Sequence, residues 1–175
     1  MLPDPLHPAI VHFPIVLAVL LPVAAIGALF LIRRGTVTPR LGWGVVTLLA
    51  LGLFGSSWLA VETGEQQEER VEQAVPERII ESHGERAERF LVLTGATLAL
   101  AGLGLARGRV GEMGRAVATV ATLALLPAGY QVGHSGGELV YRHGAAQVHV
   151  AAAATPGTEG GGAEARSDDG DDDDR

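Results

Sequence analysis

The chain has 175 residues, of which 47% are hydrophobic and only 5% aromatic, with a formal net charge of −7 and no cysteine. These figures point to one domain built from apolar helices. They exclude a disulfide framework and a thiolate-held metal or iron–sulfur centre within the chain. The acidic balance gives no reason to expect a nucleic-acid partner.

The first apolar run, Leu6 to Arg34, sets the class. Phe13 to Ile32 is twenty residues without a charge, and at about 1.5 Å per residue it covers a hydrocarbon core of about 30 Å. Its positive charges, Arg33 and Arg34, follow the apolar residues, the reverse of a secretory signal, so the run is expected to stay in the mature protein. Leu41 to Val61, Phe90 to Ala106 and Ala116 to Val132 repeat the pattern. The expected fold is an all-α membrane protein of four transmembrane helices, at about 9–32, 41–61, 88–106 and 114–133, with a histidine-rich extracytoplasmic cap. Residues 1–150 form the membrane domain, and the Ala-, Gly- and Asp-rich segment 151–175 is expected to be a disordered acidic tail.

Charge sets the orientation. The connection after the first run holds Arg33, Arg34 and Arg40 without an acid, and the one after the third holds Arg107, Arg109 and Arg115 with only Glu112. Both should face the cytoplasm, with both termini outside. The long connection from Glu62 to Arg89 carries nine Glu against four Arg and lies outside. Within it Pro76 suits a helix start, and helical spacing puts Ile80, His83, Ala87, Phe90 and Thr94 on one face, so His83 turns inward. In the first run, Pro22 is expected to kink the helix near Ala18, and Pro8 or Pro14 suits a first helical position. After the fourth run, Gly136 and Gly137 permit a sharp turn back, with Leu139 to Tyr141 and Val148 to Val150 as short paired or interfacial segments.

This topology places His7, His12, His83, His134, His143 and His149 at or beyond one membrane face. Imidazole is the commonest metal ligand among side chains, and His7, His12, His83, His134 and His143 are the candidates for holding a cofactor. His149, beside the tail, is expected to be solvated. Glu62 closes the second run at the same level and could orient an imidazole or complete a metal site. No charged residue or histidine lies at mid-membrane, which argues against a transport pathway.

The stretch from about Leu6 to Val150 resembles the bacterial inner-membrane family called domain of unknown function 2231. The resemblance rests on His7-Pro8, His12-Phe13-Pro14, Thr63-Gly64, His83, and His134-Ser135-Gly136-Gly137-Glu138-Leu139-Val140-Tyr141-Arg142-His143-Gly144. It implies a four-span, multi-pass protein of the bacterial inner membrane, sometimes joined to or encoded near electron-transfer modules such as Rieske or cytochrome domains.

Together these readings lead to a subunit that binds b-type haem and transfers electrons. A low-spin haem takes two imidazoles from different segments. His7 or His12 would pair with His83 or His134, with a periplasmic cytochrome, a Rieske-type protein or quinol as partner. Two alternatives stand beside it: a Cu, Zn or Fe ion held by His12, His83, His134 and Glu62, and a non-catalytic membrane scaffold without a cofactor.

Overall fold

The computed structural model describes residues 6–147. Its elements are α1 (His7–Ile10), α2 (His12–Arg33), α3 (Pro39–Val71), α4 (Glu77–Leu103) and α5 (Gly108–Tyr141). Val11 separates α1 from α2, and Pro8 lies in the first turn of α1, where a missing amide donor costs nothing. Pro14 sits in the first turn of α2 for the same reason, while Pro22 is buried inside a helix that continues through it. Thr38 caps α3, its hydroxyl accepting from Leu41 N at 3.4 Å, and Pro39 follows at the first helical position. Pro76 caps α4 as its sequence suggests, and Glu77 sets a negative charge against the positive end of that helix.

Short connections carry the chain up and down through four long helices. Each packs against two neighbours, in the ring α2, α3, α4, α5 and back to α2. His7–Arg33, Pro39–Val71 and Gly108–Tyr141 are long and apolar enough to cross a membrane. The apolar run of α4 is shorter: it begins only at Phe90, after Arg86, Glu88 and Arg89. Large apolar side chains cover the outside, among them Phe13, Val19, Val23, Ile26, Leu48, Val92 and Val120, while Ala18, Ala25, Ala50, Thr94, Thr97, Ala118 and Thr122 fill the centre. Larger side chains, Leu21, Trp43, Leu53 and Leu125, are fully buried among them, and the small residues let the helices approach closely while apolar ones face outward, as suits packing in lipid. The buried threonines satisfy their hydroxyls on their own helices, as Thr94 does on Leu91 O at 2.8 Å and Thr122 on Thr119 O at 2.7 Å.

The two helical hairpins repeat one another. Buried Pro14, Ala18, Leu21 and Ala25 of α2 are matched, 76 positions later, by buried Phe90, Thr94, Thr97 and Ala101 of α4. Trp43, Val46, Ala50 and Leu53 of α3 are matched, 72 positions later, by Arg115, Ala118, Thr122 and Leu125 of α5. Even a local bond recurs: Thr47 donates to Trp43 O at 3.1 Å and Thr119 to Arg115 O at 2.8 Å. The pattern of buried positions in α2 and α3 therefore recurs in α4 and α5.

Helix α3 continues past its apolar run to Val71, through the charged, helix-prone residues that begin at Glu65. One expectation is corrected. Helix α5 runs straight through Gly136 and Gly137 to Tyr141, so neither the sharp turn nor the interfacial segment at Leu139 to Tyr141 forms. Continuing the helix keeps the backbone hydrogen-bonded and buries Leu139 in a second small core with Val75 and Ala145, flanked by Val71, Ile79 and Ile80. Glycine's conformational freedom is used instead at Gly35, Gly108 and Gly144, all at positive φ. Val148 to Val150, His149 and the acidic tail lie outside the described residues.

Candidate functional site

At the end of the bundle where α1 and α4 begin, two imidazoles occupy matching seats. His7 donates from Nδ1 to Ala60 O at 2.8 Å, with Thr63 Oγ1 at 3.4 Å. A carbonyl can only accept, so this nitrogen carries the proton and Nε2 keeps its lone pair. Thr63 spends its own proton on Leu59 O at 2.8 Å. His83 Nδ1 stands 2.8 Å from Ser135 Oγ, and that hydroxyl donates to Val132 O at 3.0 Å. The serine therefore accepts from His83, and the second imidazole has the same tautomer as the first.

A glycine floors each seat. A Cβ on Gly64 would come within 3.2 Å of His7 Cε1, and one on Gly136 within 3.2 Å of His83 Cε1. Hydroxyl followed by glycine, Thr63-Gly64 and Ser135-Gly136, is thus the motif that receives an imidazole on α3 and again on α5. The two rings lie close enough to interact electrostatically. Burial first, and then nearby His7 and Arg86, hold the His83 pKa at about 4, so its ring is neutral at physiological pH. Two turns below the seats, buried Ser57 Oγ has no hydrogen-bond partner among the described residues.

The other candidates face elsewhere, for reasons of helical phase. His12 is five residues from His7, well round the helix axis, and is exposed. Glu62 is also exposed, 100° round from Thr63. His134 precedes buried Ser135 and so points away from the core, 54% exposed, with Glu138 Oε2 at 3.7 Å and the Tyr130 ring beside it. His143 lines a groove between α4 and α5. Among the described residues no group of three or more His, Asp or Glu side chains gathers to hold a metal ion. The ion site expected from His12, His83, His134 and Glu62 is therefore not assembled.

Ser135 was not among the residues expected to act, nor was Ala60. The signal for Ser135 lay in the 72-residue echo, which sets Thr47, Leu53, Thr63 and Gly64 against Thr119, Leu125, Ser135 and Gly136. A main-chain carbonyl such as Ala60 O leaves no mark in sequence.

The opposite end of the bundle is a structural clasp. Trp43 Nε1 donates to Ala101 O at 2.9 Å and Arg115 to Gly104 O at 2.7 Å, satisfying carbonyls where α4 ends. Gly104 lies directly against the Trp43 indole, leaving no room for a Cβ.

Comparison of the chain with family models, curated proteins and solved structures gives no match.

Proposed function

We propose that this protein is a four-span subunit of the bacterial inner membrane in which His7 and His83 hold a b-type haem near the extracytoplasmic face. The observation that carries the reading is the pair of seats: two neutral imidazoles on different segments, each with Nδ1 engaged and Nε2 unspent. A low-spin haem would take two such imidazoles, whereas a structural zinc ion takes four ligands and a catalytic one three. The residues fit that donor set: both rings are neutral, and each already has its Nδ1 proton engaged.

Bound there, the haem would supply one-electron transfer. The chain's own residues prepare for it. Ala60 O and Ser135 Oγ fix each ring's tautomer and tilt, as outer-shell partners of metal-bound imidazoles do. Gly64 and Gly136 let the rings lie against the helices. Burial keeps His83 unprotonated, so no proton competes for its lone pair near neutral pH.

Helix α4 serves as the fourth span, its apolar run from Phe90 extended by the connection after Leu103. Since the seats stand at one end only, the subunit would exchange electrons with a periplasmic cytochrome, a Rieske-type protein or quinol, and would not carry them across the membrane by itself. The resemblance to the domain of unknown function 2231 family supports this reading, because His7, Thr63-Gly64, His83 and Ser135-Gly136 belong to the motifs it rests on. The deciding test is an absorbance spectrum of protein purified in detergent from haem-supplied cells. A Soret shift and a sharpened α band on dithionite reduction support the haem, and a featureless spectrum refutes it in favour of the scaffold.

A further inference from the structure

Beside the His83 seat, α4 and α5 enclose a groove of about 400 Å³, lined by Arg78, Ile79, Ser82, Arg86, Ser135, Glu138 and His143. Arg78, Ser82 and Arg86 follow one another at intervals of four and so share one face of α4. The charges here are unequally matched. Arg89 is held by Glu85 at 2.8 Å and Arg142 by Glu138 at 2.7 Å. Arg78 and Arg86, which face the groove, make no ion pair among the described residues, and the Ser82 hydroxyl has no hydrogen-bond partner there. The one carboxylate that lines the groove, Glu138, is paired with Arg142 at 2.7 Å and has His134 Nδ1 at 3.7 Å.

We propose that this groove binds a phosphate-bearing anion, with Arg78 and Arg86 as guanidinium donors and Ser82 as hydroxyl donor between them. Guanidinium presents paired N–H groups that match phosphate oxygens, and such bonds are stronger than neutral ones. A groove of this volume falls in the range of small-ligand sites. The groove borders the His83 seat through Ser135 and Arg86, but its test reads phosphate and lipid and does not depend on haem, so the two readings can fail separately. The same phosphate chemistry could come from a lipid headgroup or from a soluble phosphate.

The experiment uses the full chain. Inorganic phosphate is titrated into protein in neutral detergent, following the Arg side-chain Nε resonances. In parallel, lipid retained by protein from nanodiscs of phosphatidylcholine, with and without phosphatidylglycerol, is measured by native mass spectrometry. Saturable shifts of Arg78 and Arg86 with phosphate identify a soluble ligand, and selective retention of phosphatidylglycerol identifies a headgroup. Either supports the site, provided the paired change Arg78→Gln and Arg86→Gln weakens binding about tenfold or more, about 1.4 kcal/mol, while Arg89→Gln leaves it unchanged. Absence of both signals in the wild-type protein overturns the proposal, as does an equal loss in Arg89→Gln. Because the Nε shifts are read on unaltered protein, a misfolded variant does not decide the result.

Discussion

Thr63 and Ser135 occupy equivalent places on α3 and α5: each is followed by glycine, and each has its hydroxyl oxygen beside the Nδ1 of a histidine from an earlier helix, His7 of α1 and His83 of α4, at 3.4 and 2.8 Å. Between them the two hairpins present a matched pair of imidazoles, and the behaviour of the site can be tested from either side.

The glycine floors give the sharpest test. Gly64→Ala and Gly136→Ala each force an imidazole back by a few tenths of an ångström from a contact of 3.2 Å. Each is expected to lower haem retention, though less than His7→Ala or His83→Ala, which remove the ring itself. Gly133→Ala, on the same helix with open space around it, should retain haem fully. Haem-to-protein ratio after purification measures all five, and equal retention throughout would exclude the seats as a haem site.

Acid should act on the fold through His83. Its folded pKa is about 4 against an ordinary 6.5, so between those values the unfolded chain binds the proton more readily. Its contribution to stability is complete above the ordinary value and falls away as pH drops through that window. The apparent Tm in detergent should decline from about pH 7 to about pH 4.5, and His83→Gln should decline less. Parallel curves for the two proteins would show that the ring is not held neutral.

At the clasp, Arg115→Gln removes the charged donor from Gly104 O, which costs about 1–3 kcal/mol if that carbonyl is left unpaired. Trp43→Phe removes the indole donor from Ala101 O, which keeps Thr47 Oγ1 at 3.3 Å and Gly104 N at 3.1 Å, so its cost should be smaller. Both variants should unfold at lower temperature while keeping any haem spectrum, since the clasp lies at the far end of the helices from the imidazoles. A lost spectrum at unchanged stability would contradict this division of labour.

Orientation can be read with reporters. A periplasm-active reporter after Arg175 should be active and one inserted after Gly35 inactive, with the reverse for a cytoplasmic reporter. Cytoplasmic activity after Arg175 would move the histidines to the other side of the membrane and remove the periplasmic partner from the proposal.

Much of this architecture was legible in the residues. Uncharged runs marked the long helices, and the 3.6-residue phase of α4 placed His83 inward, as found. The same phase, applied to Ser135, would have turned His134 outward. What misled was the Gly136-Gly137 pair, which reads as a turn because glycine is permissive; here Gly136 serves as clearance for a ring arriving from another helix, and no local pattern records that. The extension of α5 was hidden for a related reason. Its polar residues resemble loop until Val75, Leu139 and Ala145 are seen to share a small core.

The two-fold pattern has a consequence for descent. A single hairpin carrying one histidine and one hydroxyl-glycine pair could complete the clamp only by meeting a second copy of itself. Joining two copies in one chain releases each half from having to serve both roles. The present chain shows such divergence: tryptophan at position 43 answers to arginine at 115, and serine at 57 to glycine at 129. A half-length chain of this pattern would carry one imidazole seat, and only the pairing of two such chains would restore both.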